Sequence, residues 1–163
     1  MKNAISKILN THDDAALLVI RLLLGAVMFP HGAQKLFGWF GGFGFSGTMG
    51  FFTGTMGIPW IFALAAILAE SLGSVALILG LGTRIAAAAI AVNMIVAVFT
   101  SHLQAGFFMN WFGNQKGEGF EYHLLALGLA AALMIKGGGK ASIDLALTGG
   151  RSPSQKMPAL QSV

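Results

Sequence analysis

Hydrophobic and polar positions divide this chain into four long apolar stretches, separated by glycine-rich or polar segments. The apolar stretches cover residues 15–37, 59–81, 84–104 and 120–135. A helix of roughly 20 apolar residues is long enough to cross the hydrocarbon core of a bilayer. The pattern therefore predicts an all-α fold, a four-helix transmembrane bundle.

The first long connection is itself apolar. Residues 38–57 read GWFGGFGFSGTMGFFTGTMG and contain no charged side chain. A loop of this length and composition is not typical of a solvated linker. We expect it to lie in the membrane interface, with a short helix over residues 46–56, and to cover the outer end of the bundle as a lid.

The domain organisation follows from these stretches. The predicted units are a cytoplasmic N-terminal segment at 1–14, the membrane domain at 15–147 and a polar tail at 148–163. The Ser, Pro and Gln content of the tail is typical of disorder.

Composition supports the membrane assignment. Hydrophobic residues make up 55% of the 163 residues and charged residues only 10%, with a mean hydropathy of +0.74, whereas a soluble domain has about 25% charged residues. There is no cysteine, which excludes disulfides, thiolate catalysis and cysteine-ligated metal or iron–sulfur sites.

The distribution of basic residues predicts the orientation. With four spans, one side of the membrane holds Lys2, Lys7, Arg84, Lys136, Lys140, Arg151 and Lys156, and the loops of the other side hold only Lys116, with Lys35 at a span end. The positive-inside rule then places both termini in the cytoplasm. The net charge of +4 is explained by this topology, so we do not expect nucleic acid as a partner.

The first span contains Arg21, His31 and Lys35. A charged group in a span costs roughly 2.5–3.5 kcal/mol on insertion scales, so these side chains should face the bundle interior and find partners there. Counted from the inner span ends, Arg21 lies about 9 Å deep and Glu70 about 16 Å deep. We predict a buried Arg21–Glu70 pair, which could be purely architectural, and an interhelical hydrogen bond from Asn93.

A second group of ionisable residues collects at the outer span ends: His31, Lys35, His102, Glu121 and His123. A quinone needs an apolar slot, hydrogen-bond donors for its carbonyls and a proton acceptor near water. In the predicted site Lys35 donates a hydrogen bond to a quinone carbonyl, and His31 or His102 transfers the proton. Glu121 orients the groups of the site or relays the proton. Together with Lys35 and His31, Trp39 is a candidate cofactor contact.

Haem or a metal ion is the less favoured alternative at this site. Imidazole suits Zn, Cu and Fe, but the three histidines come from three different predicted helices and form no tight motif. No metal site is therefore predicted.

Several sequence features together resemble one family. They are R-LLLG-AVMFPHGAQKLFG in the first span, Ala69-Glu70 followed by LILGLGTR in the second, and the ending GGGKASIDLAL with Ser142 and Asp144. These features resemble the DoxX family of small bacterial inner-membrane proteins over about residues 15–147. The resemblance carries over Arg21, His31, Lys35, Glu70 and Glu121, whereas His102 and His123 are candidates from residue type and position alone.

The resemblance implies a four-helix inner-membrane bundle associated with redox chemistry. Relatives include the membrane subunit of a thiosulfate:quinone oxidoreductase and proteins proposed to join thiol and oxidative-stress complexes. Two functional classes follow. One is a quinone-linked redox subunit with a soluble redox protein as partner. The other is a non-catalytic protein, either a scaffold for an oxidoreductase complex or a small transporter. The lipid bilayer and a second copy of the chain are further expected partners.

Overall fold

The structure is a computed structural model that describes residues 2–149, with side chains from residue 5 onward. These residues form helices and connecting loops without a β-strand. The helices are α1 (Lys2–Leu9), α2 (Ala15–Phe37), α3 (Gly44–Gly50), α4 (Trp60–Leu79), α5 (Thr83–Ala97), α6 (Glu121–Lys136) and α7 (Ile143–Thr148). A π-helical turn, Phe51–Thr55, continues α3, and a second, Val98–His102, continues α5 before a 3-10 turn at Leu103–Ala105.

Three helices are long and apolar enough to cross a membrane: Ala15–Phe37, Trp60–Leu79 and Thr83–Ala105. They coincide with the first three predicted spans to within two residues at each end. The fourth predicted span corresponds to α6, which has 16 residues and is therefore about 24 Å long. The all-α fold is confirmed, and length and composition support three of the four predicted spans.

Local sequence fixes the ends of α2. Asp14 is its N-cap, and its carboxylate accepts hydrogen bonds from the backbone nitrogens of Ala16 at 2.8 Å and Leu17 at 3.4 Å. Gly38 ends the helix with a φ of +76°, a left-handed conformation that glycine adopts at low cost. Between these residues the helix continues through Pro30.

The long helices form an antiparallel bundle in which α4 packs between α2 and α5, and α6 packs on α5 and α2. Glycine allows the closest approach, between α2 and α4. A Cβ atom at Gly32 would lie 2.5 Å from the carbonyl oxygen of Glu70, and one at Gly25 would lie 3.1 Å from that of Ser74. Small residues at such positions let two membrane helices pack closely.

One end of the bundle, which we call the terminal end, contains α1, the turn between α4 and α5, and α7. Asp144 connects two of these elements because its carboxylate accepts hydrogen bonds from the backbone nitrogens of Gly82 at 2.7 Å and Thr83 at 2.9 Å. It thereby satisfies free N–H groups at the start of α5. Neither α1 nor α7 was expected, and the predicted tail beyond residue 149 lies outside the described residues.

The predicted Arg21–Glu70 pair is wrong. Arg21 is buried at the terminal end, where its guanidinium donates to five backbone carbonyls: Leu77 and Ile78 at the end of α4, and Gly138, Lys140 and Ala141 before α7. The last carbonyls of a helix have no partner within that helix. Arg21 supplies the missing donors at the end of α4, and Glu70 has other partners.

The opposite end, which we call the loop end, contains residues 38–59 and 106–120. The short helix predicted at 46–56 is present as α3 and the π-helical turn after it. Met49 of α3 packs against Ala63 and Ile67 of α4 in a small core of its own. This apolar loop is therefore packed against the helices rather than extended over them.

Candidate functional site

A buried cluster of three side chains centres on Glu70. Its Oε2 lies 2.5 Å from Lys35 Nζ, and its Oε1 accepts a hydrogen bond of 2.6 Å from Asn93 Nδ2. The side chain of Glu70 is 6% exposed and that of Lys35 is 24% exposed. The predicted interhelical hydrogen bond from Asn93 is confirmed, with Glu70 as its acceptor. The cluster joins α2, α4 and α5 through one carboxylate.

Helix geometry explains why Lys35 reaches Glu70. Gly32, one turn before Lys35, lies directly against the backbone of Glu70. Only five residues of α2 follow Gly32, whereas ten residues of α4 precede Glu70. The loop end of α2 therefore stops about 7 Å short of that of α4. Lys35 is at the end of its helix and yet deep inside the bundle.

Aromatic rings lead from this cluster toward the loop end. The ring centroids of His31 and Tyr122 are 6.2 Å apart, those of Tyr122 and His123 are 5.4 Å apart, and those of His123 and His102 are 4.1 Å apart. His102 is the last residue of the second π-helical turn, and its Nδ1 lies 2.8 Å from the carbonyl oxygen of Glu118 in the adjacent loop. Four rings from α2, α6 and the end of α5 thus form a continuous row.

Two polar atoms in this row have no hydrogen-bond partner. The Oη of Tyr122 and the Nδ1 of His123 are both buried, and neither has a partner within the described part of the chain. Buried polar groups in proteins are normally bonded to protein or to ordered water. These two atoms therefore indicate a place where water or a ligand completes the structure.

A cavity of about 560 Å³ lies beside the first turn of α6. Its lining residues are Phe107, Met109, Trp111, Glu121, Tyr122, Leu124 and Leu125. Its polar wall includes Trp111 Nε1, which donates a hydrogen bond of 2.9 Å to Glu121 Oε1. The cavity combines a largely apolar interior with an indole N–H, a carboxylate and a phenol ring.

A smaller cavity of about 260 Å³ lies between α2 and the first long connection. Its lining includes Lys35 and Gln34 of α2 together with Thr48, Phe51 and Phe52 of the lid predicted from the sequence. The cavity leads to the lysine of the Glu70 cluster.

The structure separates the residues predicted to share one site. Lys35 pairs with Glu70 and lines the smaller cavity, whereas Glu121 bonds to Trp111 and lines the larger one. His31 contacts Tyr122, and His102 contacts His123. Trp39 is exposed beside Phe37 and Phe40, outside the lining of both cavities. The single outer pocket predicted from the sequence is thus divided in two.

Tyr122 and Trp111 were not among the site residues predicted from the sequence. Tyr122 is the single tyrosine of the chain and directly precedes His123 in the first turn of α6, a position that could have pointed to it. Within residues 5–149 no three His, Asp or Glu side chains converge in a way that could hold a metal ion.

The residues of the Glu70 cluster lie in a part of the chain that resembles a known family. The family described as DoxX matches residues 16–103 of this chain, a range that includes Arg21, His31, Lys35, Glu70 and Asn93. The chain belongs to the DoxX family. Helix α6, with Tyr122 and His123, lies beyond the matched residues of this DoxX protein, and so do all the residues that line the larger cavity.

A relative of this DoxX protein is the protein named "Putative oxidoreductase CatD" from Bacillus subtilis (strain 168). The two are 32% identical over 143 residues, which cover 88% of this chain and 86% of the relative. No solved structure matches the chain significantly. The family and the apolar helices together indicate a membrane protein, and the name of the relative connects the family with oxidoreductases.

Proposed function

We propose that this DoxX-family protein is the quinone-binding membrane subunit of a redox system, and that the quinone ring occupies the cavity beside α6. The observation that carries the proposal is the composition of that cavity. Four of its seven lining residues are purely apolar, and the other three, Trp111, Glu121 and Tyr122, each carry a polar group. Its volume of about 560 Å³ is within the roughly 300–1,000 Å³ of small-molecule sites.

The position of the cavity suits a ligand dissolved in the membrane. Leu124 and Leu125 line it and are 48% and 72% exposed on the outside of α6. Such apolar exposure on a membrane protein faces lipid, so a quinone could enter sideways. The isoprenoid tail would then remain among the lipid chains while the ring reaches Trp111 and Glu121.

The proposed chemistry needs a second protein. Reduction of a quinone to a quinol takes up two electrons and two protons, and both protons end on the two ring oxygens. The chain has no cysteine, so it has no thiol to supply the electrons. The proposal therefore includes a soluble partner of the flavin or dithiol class, which delivers two electrons, while the membrane subunit binds the quinone and supplies protons.

The proposal places the protein in the bacterial inner membrane, with α6 as the fourth span and both termini in the cytoplasm. The distribution of Lys and Arg supports this orientation. At about 24 Å, α6 is short for a bilayer of about 30 Å, but a short span can be accommodated by local thinning of the bilayer. Its packing against α5 and α2 supports its place inside the bundle.

The two alternatives predict other features. A scaffold without catalytic function needs no cavity beside a row of titratable side chains. A transporter would need a water path through Glu70 and Arg21, but the guanidinium of Arg21 is hydrogen-bonded to five backbone carbonyls at the terminal end. The quinone-binding subunit therefore agrees best with the geometry.

Binding of menadione and decylubiquinone to the purified protein tests the proposal. We expect Leu125→Trp, which fills the cavity, to weaken binding at least about tenfold, a change of about 1.4 kcal/mol. Trp111→Phe removes one hydrogen-bond donor and should weaken it about two- to tenfold. Trp39→Phe is the matched control and should bind as the wild type does.

A double variant separates the two cavities. His31→Ala combined with Lys35→Ala should leave quinone binding within about twofold, because neither residue lines the cavity beside α6. Loss of binding in this variant, with normal binding by Leu125→Trp, would move the quinone to the smaller cavity. Absence of binding by the wild type would support the scaffold instead.

A further inference from the structure

We infer that the row Tyr122–His123–His102 is a proton path that connects the buried carboxylate of Glu70 with water at the loop end. This goes beyond the proposed function, because the path would operate whichever molecule occupies the cavity beside α6. It assigns Glu70 the role of an exchangeable proton acceptor rather than that of a fixed structural charge.

The spacing of the rings supports the path. The ring of Tyr122 is followed by that of His123 at a centroid distance of 5.4 Å and then by that of His102 at 4.1 Å. The row ends at the carbonyl oxygen of Glu118, an exposed residue of the second loop. Each member except this carbonyl can both donate and accept a proton. The rings from Tyr122 to His102 are thus adjacent to one another and lead to the second loop.

A proton path needs groups that are free to donate or accept a hydrogen bond, and two such atoms lie in this row. Tyr122 Oη and His123 Nδ1 are buried and without a protein partner among the described residues, so a bound water is the expected bridge. The charge of Glu70 acts on Tyr122 and on His31, and His123 interacts electrostatically with His102 and His31.

Access to Glu70 is one-sided. Toward the terminal end the bundle is filled by fully buried apolar side chains, among them Leu24, Met28, Leu77, Ile90 and Leu133. A proton on Glu70 therefore exchanges only with the loop end. Such an arrangement delivers protons to a membrane site from one aqueous side and does not conduct them across the bilayer.

The charged and titratable groups around the path come from every packed element. Lys35 and His31 belong to α2, Glu70 to α4 and His102 to the extension of α5, while Glu118 lies in the loop and Glu121, Tyr122 and His123 lie on α6. Lys35 is the cation nearest to Glu70. Protonation of Glu70 would release Lys35 from its ion pair, at the floor of the smaller cavity.

Infrared spectroscopy of a Lys35→Met variant tests this path. Without its cation, Glu70 should take up a proton, which gives a carboxylic C=O band that is absent in Lys35→Met/Glu70→Gln. On transfer to D₂O the band should shift promptly. Adding His123→Phe or His102→Phe, which keep a ring but cannot carry a proton, should slow the shift at least about tenfold.

The matched control is His12→Phe in the same background, because His12 is an exposed histidine outside the row. It should leave the exchange rate unchanged. Lys35→Gln and His123→Gln replace the first variants if those do not fold. An unchanged exchange rate in the His102 and His123 variants, or a Glu70 that stays ionised without Lys35, would overturn the inference. Neither readout depends on quinone.

Discussion

Lys35 Nζ lies 2.5 Å from Glu70 Oε2, although Lys35 is in the last turn of α2 and Glu70 is near the middle of α4. The pair is therefore inside the bundle, where each charge depends on the other for compensation. Asn93 donates a hydrogen bond to the second carboxylate oxygen of Glu70. Removal of any one member leaves the remaining groups without a full set of partners.

We expect Glu70→Ala to lower the free energy of unfolding by about 3–5 kcal/mol, since it leaves the ammonium group of Lys35 without its partner inside the bundle. Lys35→Met should lower it by less, because Glu70 becomes neutral when it takes up a proton. The double variant Lys35→Met/Glu70→Ala should be more stable than the sum of the two single losses predicts. Thermal unfolding in detergent measures both effects. Lys116→Met, which alters an exposed lysine, should change stability by less than about 0.5 kcal/mol.

Gly32→Ala should push α2 and α4 apart. The added Cβ would lie 2.5 Å from the Glu70 carbonyl oxygen, and overpacking of this kind costs roughly 1–3 kcal/mol. Gly128→Ala is the matched control, because a Cβ there meets nothing within 4 Å; it should be neutral or slightly stabilising through helix propensity. Equal stability of the two variants would contradict the close approach of α2 and α4.

Arg21→Lys should destabilise the terminal end even though the charge is kept. Arg21 donates to five carbonyls, whereas a lysine has three donors at one nitrogen and cannot reach both segments. Loss of two charged hydrogen bonds corresponds to about 3 kcal/mol or more. The same change at Arg84, which donates to three carbonyls at an exposed site, should cost clearly less in the same unfolding assay.

The proposed orientation predicts the behaviour of reporter fusions. A fusion at Gly113, in the second loop, should report an outward location, and a fusion at Val163 should report a cytoplasmic one. An outward C-terminus would contradict both the orientation and the role of α6 as a fourth span.

The long helices were predictable from sequence because a membrane span is recognisable by the length and the apolar composition of its run of residues. Residues 15–37 were predicted as a span and form α2 with the same bounds. The hydrogen bond from Asn93 was also predictable, since an amide in mid-span must find a partner. These features depend on one helix at a time.

Contacts that depend on how far two helices are offset along the membrane normal were not predictable. The depth of a residue in the membrane follows from its distance to the end of its own helix only if all helices end in one plane. On that assumption Arg21 is close to Glu70, and Lys35 is far from Glu70. Because α2 ends about 7 Å short of α4 at the loop end, Lys35 is instead close to Glu70. The partners of Arg21 are backbone carbonyls, which every residue has, so no sequence pattern could indicate them. The short helix α7 lies at the end of the predicted membrane domain and has only six residues, too few for a clear periodic pattern.

The five-carbonyl binding of Arg21 has a mechanical consequence for the whole molecule. It joins α2, the end of α4 and the segment before α7 at one end, while the other end consists of glycine-rich chain and two π-helical turns. Amide hydrogen exchange should therefore be slowest around Leu77 and fastest around Gly41. With local stability that decreases from the terminal end to the loop end, the protein can change conformation around a bound ligand at the loop end while the terminal end stays fixed.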